Sequence, residues 1–542
     1  MVGSIPLGVR NDEASFGYNA YSILETGKDE HGEKYPLIFK AFGDQKLPAY
    51  MYSIVPAIKI FGLNNFAVRL PSVLAGTLSA LIFYFIALRF DYIRKYAFIA
   101  SLIFAASPWS IILSRSAYES NLGLMFFLGG LYFLIKNIQE KKRSDALLSG
   151  ILFGLSWYSY IAYRLISALL ILWSFLYTSV KTRKLQLIHL CIALLITILP
   201  LLPSLFTHQG MARFEHVGLF ADDGPVMEIV EARTFCTQHF PRILCYADSN
   251  KILVYGRNML NSFVQTISPD YLFINGDNNT VYLDAEHFGN LHYYLLPFYL
   301  LGLVYLISTL YSSKKKTFEL LILVGFLIST IPAVLTHGPQ LVRTSSLLPF
   351  LILITTFGIA YGEEFITKSS LKKLYQPLHT ITAISFGYIF LFNYIGISIP
   401  KNDVQFYSHI PPLMKYLHTI DSKTPIHINK LPEAVMFYAY VNKVSPTDYQ
   451  KNARYPEVDA RGFSHAHSLN NIHYTPLDYQ HIVCEKPGEE GIYVATESLS
   501  ESINPKKMIY SANKVHTLFY VYDILSLPKP DCSEITQIKL KY

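Results

Sequence analysis

Residues 67–90 read AVRLPSVLAGTLSALIFYFIALRF, and the chain then turns basic at Arg94 and Lys95. Apart from Arg69 and Arg89 near its ends, the run carries no charge. A bilayer span takes roughly 20 apolar residues, so this stretch reads as a transmembrane helix. The pattern recurs at 96–114, 121–137, 145–162, 163–180, 185–206, 291–311, 317–335, 345–361 and 377–399. The runs 145–162 and 163–180 are continuous and divide near Tyr160–Arg164. The expected architecture is a membrane all-α polytopic bundle with about ten spans.

The loops fix an orientation. Arg89/Arg94/Lys95, Lys136/Lys141/Lys142/Arg143, Lys181/Arg183/Lys184, Lys314/Lys315/Lys316 and Lys368/Lys372/Lys373 all fall in alternate gaps. Basic loops stay cytoplasmic, so residues 1–66, 115–120, 207–290, 336–344 and 400–542 face outward. That places the chain in the plasma (inner) membrane, multi-pass, with an extracytoplasmic C-terminus. An outward N-terminus without a signal peptide predicts one further span upstream, eleven in the complete protein. The expected divisions are a first outer loop 1–66 with two interfacial helices, a membrane domain 67–399 with a large outer loop 207–290, and a soluble domain 400–542.

Composition agrees. Only 16% of the 542 residues are charged, against about 25% in soluble proteins. The net charge of +7 comes from loop lysines and arginines that set topology, so it does not point to nucleic acid. No zinc-type Cys/His spacing and no phosphate-binding glycine loop occurs. Many of the 40 Tyr and 36 Phe belong to interfacial aromatic belts. Cys236 with Cys245 and Cys484 with Cys532 lie outside and can form disulfides in an oxidising compartment. In the C-terminal domain, Ile426–Ile428, Gly491–Ala495 and Val515–Tyr522 read as strands. Pro411–Thr419 and Leu431–Val441 read as helices. Together they make a small α/β or α+β module.

The outer loops carry the chemistry. Asn11-Asp12-Glu13 offers either a general base for an attacking hydroxyl or a helix cap. Lys46, Arg69, Arg115 and Arg343 each offer a cation to a lipid phosphate; interfacial snorkelling explains a single one equally well. Glu119 stands four residues after Arg115, as a local ion pair or as a second acid facing the same cavity. Glu286 and His287 are the candidate ligands for a divalent cation, though two adjacent residues are a poor ligand set.

Four segments carry a resemblance. They are Asn11–Tyr21, Phe42–Tyr50, Phe66–Ser72 and Ser107-Pro108-Trp109 with Ser114-Arg115. They resemble the polytopic GT-C glycosyltransferases, in particular bacterial members similar to dolichyl-phosphate-mannose–protein mannosyltransferases and to the lipid A aminoarabinose transferase. The resemblance covers about residues 8–400, including span order; the C-terminal domain resembles only the soluble tails of bacterial relatives. It implies a polyprenyl-phosphate-linked sugar donor, a mannose-like hexose or modified pentose. The acceptor is a protein, lipid or glycan hydroxyl at the outer face, and transfer inverts the anomeric centre. The family's first acidic residue matches Asp12, with Glu13 beside it, and the second matches Glu119. Its Lys-Pro-Pro element matches Lys46-Leu47-Pro48, with Leu47 in place of the first proline. Gln45 stands where some relatives carry Glu, which removes a candidate metal ligand. A flippase for lipid-linked glycans is the main alternative and a membrane-anchored scaffold the third. No internal repeat of the transporter kind is visible, and ten spans exceed what an anchor needs.

Overall fold

The computed structural model describes residues 2–42, 44–177, 181–205, 224–277, 288–312, 317–336, 338–456, 464–500, 502–530 and 532. In chain order come α1 (Asn11–Thr26), a hairpin of β1 (Phe39–Ala41) and β2 (Asp44–Lys46), α2 (Pro48–Phe61) and α3 (Asn65–Ala87). Then follow α4 (Ala97–Ala106), α5 (Pro108–Arg115), α6 (Glu119–Glu140), α7 (Arg143–Trp157), α8 (Ile161–Tyr177) and α9 (Lys181–Ile198). Next come α10 (Gly224–Cys236), α11 (Arg242–Asp248) and α12 (Lys251–Ile267). The remaining long helices are α13 (Leu296–Ser312), α14 (Thr317–Val334), α15 (Leu347–Glu364) and α16 (Ser369–Asn393). Each expected span is largely helical over its described residues.

Among the described residues six helices are long and apolar enough to cross a membrane, or seven if the pair 91–106 and 108–115, bent by 52°, is one span. The three other expected spans are α7, α8 and α9, of 15, 17 and 18 residues. Ile161–Leu176 and Gln186–Leu201 are shorter apolar helices, and α7 and α8 break at Tyr158–Tyr160, close to the division expected near Tyr160–Arg164. The chain is a multi-pass membrane protein.

The C-terminal elements are α17 (Ile410–His418), β3 (Ile426–Asn429), α18 (Ala434–Asn442), α19 (Pro446–Asn452), β4 (Ala453–Arg454), β5 (Ser468–Leu469), β6 (Ile472–Thr475), α20 (Tyr479–Glu485), β7 (Ile492–Ala495), β8 (Lys507–Tyr510) and β9 (Thr517–Asp523). One sheet runs β4-β5-β6-β3-β7-β9-β8. β3 lies parallel to both β6 and β7, while the outer pairs are antiparallel. Parallel neighbours need crossover connections, supplied here by α18 with α19 and by α20. The expected strands and helices are all present. Both disulfides, Cys236–Cys245 and Cys484–Cys532, are formed.

Two compact units divide the molecule: Met1–Pro71 with Arg115–Ala117 and Tyr394–Tyr542, and Ser72–Ser114 with Tyr118–Asn393. In the first, α1 is a core helix. Ala14, Phe16, Tyr18 and Ala20 are buried, and α1 packs against α2 and α18. Gly17 permits that approach: a Cβ there would stand 2.6 Å from both Tyr440 Cε2 and Val68 Cγ2. Gly8 does the same for the N-terminal segment, where a Cβ would lie 1.9 Å from the Phe406 carbonyl oxygen. The second unit holds α4 to α16, with α13 and α15, α6 and α7, and α7 and α9 closely packed.

Candidate functional site

The hairpin and α1 bring two site residues together. β1 pairs with β2 so that Phe39 faces Lys46 and Ala41 faces Asp44. Pro48 at the first turn of α2 suits the fixed proline φ and ends the strand just after Lys46. Lys46 is therefore held by backbone on both sides and is 7% exposed. Its Nζ lies 2.9 Å from Asp12 Oδ1 and 3.4 Å from Asp44 Oδ2. It also sits 5.9 Å from the Phe16 ring centroid, within cation–π range. The Asp12 side chain is 49% exposed. So the carboxylate reaches solvent while the ammonium behind it is fixed.

Asp12 does not cap α1. The helix starts at Asn11, whose Oδ1 accepts the Asp12 N–H at 2.9 Å. The end is closed instead by Glu13, whose Oε2 accepts the Arg10 N–H at 3.2 Å.

Glu13 and Arg69 form a separate, buried pair, 3% and 1% exposed. Arg69 Nε donates to Glu13 Oε1 and Nη2 to Oε2, both at 2.8 Å. Nη2 also donates to the Gly8 carbonyl at 2.7 Å, and Nη1 to those of Pro6 and Val2 at 2.9 and 3.3 Å. Glu13 Oε1 further accepts the Ala117 N–H at 3.1 Å. A guanidinium has five N–H donors, and all five are used. Arg69 has no N–H to offer a donor phosphate, and Glu13 has no open face toward an acceptor. Burial alone would raise the Glu13 pKa; the Arg69 guanidinium, with help from Arg10, more than offsets it and holds the carboxyl below its ordinary range.

Arg115 ends α5 beside this pair. Its Nη2 donates to the Ile5 carbonyl at 2.9 Å. Its Nε is buried without a hydrogen-bond partner among the described residues. It thus keeps donors that Arg69 has spent.

Glu119 and Arg343 belong to the second unit. Glu119 opens α6 and is buried; a helix N-terminus favours an acidic side chain. Arg343 Nη1 donates to Thr336 Oγ1 at 3.2 Å. The turn that carries it is anchored on both sides: Tyr271 bonds Thr344 at 2.7 Å and Tyr163 bonds Ser345 at 2.8 Å. Trp109 Nε1 donates to the Leu341 carbonyl at 2.9 Å, and the Leu341 N–H to Asp277 Oδ2 at 2.7 Å. Glu286 and His287 lie outside the described residues. Among the described residues no group of three or more His, Cys, Asp or Glu is placed to hold a metal ion, and buried Gln45 offers no carboxylate.

Sequence reasoning missed Glu30. It is buried, accepts from Asn19 Nδ2 at 3.0 Å and from the Tyr449 hydroxyl at 3.2 Å, and so ties α1 to α19. Burial raises its pKa. The native state then binds more protons than the unfolded one above the ordinary carboxylate pKa of about 4.3, so this contribution to stability falls as pH rises. Glu30→Gln keeps a hydrogen-bonding amide and removes the cost. Its thermal midpoint is expected to fall less than wild type's between pH 5 and pH 8. Equal losses would show that Glu30 is not the group responsible.

Residues 45–206 match the family model described as dolichyl-phosphate-mannose-protein mannosyltransferase. The fold is similar to that of ArnT from Cupriavidus metallidurans. The apo form aligns at TM-score 0.51 and 11% identity over 98% of this chain and 97% of that one. The form bound to undecaprenyl phosphate aligns at 0.52 and 10% identity, over 96% of each. No curated protein matches the sequence significantly. The chain thus shares the fold of the two ArnT structures, and its residues 45–206 are similar to the mannosyltransferase family model. The matched stretch takes in α2 to α9.

Proposed function

We propose that the protein is an inverting glycosyltransferase. It moves a mannose-like hexose or a modified pentose from a polyprenyl-phosphate carrier to an acceptor hydroxyl at the outer face of the plasma membrane. The observation that carries this reading is the Asp12–Lys46 pair, a half-exposed carboxylate held 2.9 Å from a buried ammonium. Asp12 takes the proton of the attacking acceptor hydroxyl as its oxygen bonds the anomeric carbon. The bond from that carbon to the phosphate oxygen breaks on the opposite side. Lys46 faces the phosphate and stabilises the charge that grows on it; Arg115 adds N–H donors. The departing group is a phosphate, a good leaving group that needs no strong general acid. Glu119 and Arg343 take no step in this scheme, and none passes through a metal. An ArnT structure with bound undecaprenyl phosphate supports the lipid class of the donor.

The test is a panel of polyprenyl-phosphate sugars, radiolabelled in the sugar and given to membranes containing the full chain. Label should leave the lipid for one sugar class. Lys46→Met should raise donor KM and lower kcat together, because a phosphate ligand acts in both the ground and the transition state. A folded protein that consumes no donor in a broad panel would remove the enzyme reading.

A further inference from the structure

A cleft opens in the first unit whose lining includes neither Asp12 nor Lys46. It encloses about 750 Å³, within the size range of small-molecule sites. Phe61, Leu63, Phe66 and Val441 form its apolar wall, and Lys415 and Lys443 supply its charge. None of its lining residues is acidic.

The two lysines are brought to one place by the helices that carry them. α17 packs against α18, and Asn442 Nδ2 donates to the Met414 carbonyl at 3.1 Å. That bond joins the residues immediately before each lysine. Both lysines are exposed, and among the described residues neither side chain has a hydrogen bond or ion pair. Two like charges kept together with no counter-ion favour an anion.

The apolar wall fixes the depth of the cleft in the membrane. α3 has 23 residues and begins at Asn65. At 1.5 Å per residue it is about 35 Å long, slightly more than the roughly 30 Å hydrocarbon core. Its first turn therefore stands at headgroup level, and Phe61, Leu63 and Phe66 stand there with it. Ile60, just before them, is 73% exposed, which suits a lipid neighbour.

We infer that this cleft binds an anionic lipid of the bilayer. The lipid phosphate lies against Lys415 and Lys443, and the upper parts of its chains lie along Phe61 and Phe66. The site is distinct from that of the sugar donor and does not depend on catalysis. It anchors the fold of residues 1–71 and 394–542 to the bilayer surface.

The experiment uses the full chain, solubilised in detergent and incubated with equal phosphatidylglycerol and phosphatidylcholine. The protein is repurified, and the lipid retained per chain is counted. Wild type should enrich phosphatidylglycerol. Lys415→Ala with Lys443→Ala should cut its affinity about 25-fold, since one basic residue near an anionic surface is worth about fivefold. Phe61→Ser should weaken retention with the lysines intact. Lys423→Ala with Lys430→Ala, which removes two lysines elsewhere in the domain, should leave enrichment unchanged. Equal enrichment in the two double variants would overturn the proposal. So would release of the lipid by millimolar inorganic phosphate, which would mark a free-anion site. A rise in donor KM with unchanged lipid retention would assign the cleft to the donor and overturn it equally. Retention is read without turnover, so a failed donor panel does not affect this result.

Discussion

Asp12→Asn should lower kcat by a factor of about 10² to 10⁴, the usual contribution of a positioned general base, while the protein stays folded. The carboxylate is half exposed and its one strong contact is Lys46 at 2.9 Å. Asparagine is nearly isosteric and still offers Lys46 an oxygen, but it cannot take the acceptor proton. Donor KM should change little, because Lys46 remains in place. The thermal midpoint should also hold, since an exposed substitution that breaks no buried network stays within about 0.5 kcal/mol. The informative comparison is Glu13→Gln, one residue away. If the acidic pair acts as a unit, both variants lose turnover and both remain folded. The structure expects otherwise: Asp12→Asn loses kcat, whereas Glu13→Gln loses stability first. Near-normal turnover in Asp12→Asn would place the base elsewhere, and Glu119 would be the next residue to test.

That contrast shows what could be read from the residues alone. Apolar runs gave the long helices, because hydropathy is a local property. Three of the seven strands of the C-terminal sheet, β3, β7 and β9, were visible as β-branched or aromatic runs, whereas β4, β5, β6 and β8 were not; the cysteines could be paired on paper, but only the structure shows the two bonds. The division of labour between Asp12 and Glu13 was not visible. Successive residues on a helix point about 100° apart, so adjacent carboxylates cannot face one partner. Which one meets Lys46 and which meets Arg69 depends on how α1 is rotated in its packing. That rotation is set by Gly17 against Tyr440 and Val68, residues far away in sequence. Arg69 shows the same limit. At the head of a span it looks like an interfacial phosphate ligand. Only the carbonyls of Val2, Pro6 and Gly8 reveal that its donors are spent. Glu30 went unnoticed because its partner Tyr449 is 419 residues away. The break between α7 and α8 at Tyr158–Tyr160 falls within a few residues of the division read near Tyr160–Arg164, where polar and aromatic residues interrupt the apolar run.

Arg69→Met should be the most destabilising single change in the molecule. Removing one member of a buried ion pair costs about 3–5 kcal/mol, because the charge left behind has no partner. Here the loss also strands three backbone carbonyls, each a buried acceptor worth about 1–3 kcal/mol if unsatisfied. Against a total of about 5–15 kcal/mol for a folded domain, the first unit should largely unfold. Limited proteolysis of residues 1–71 would detect this. Arg69→Lys should not rescue it, since a lysine ammonium has three donors and no planar fork. Glu13→Leu combined with Arg69→Met should recover part of the loss, because a buried pair replaced whole by apolar groups costs far less than a broken one. The coupling from such a double-mutant cycle measures the interaction directly. Acid provides an independent check. The folded Glu13 pKa is depressed, so its contribution is present above the ordinary carboxylate pKa and is lost as pH falls below about 4.3 through the folded value. Glu13→Gln should show no such loss over the same range. If Arg69 were instead a donor-phosphate ligand, Arg69→Met would remain folded with a raised donor KM. A stable, protease-resistant Arg69→Met protein would therefore end the structural assignment and return the guanidinium to the active site.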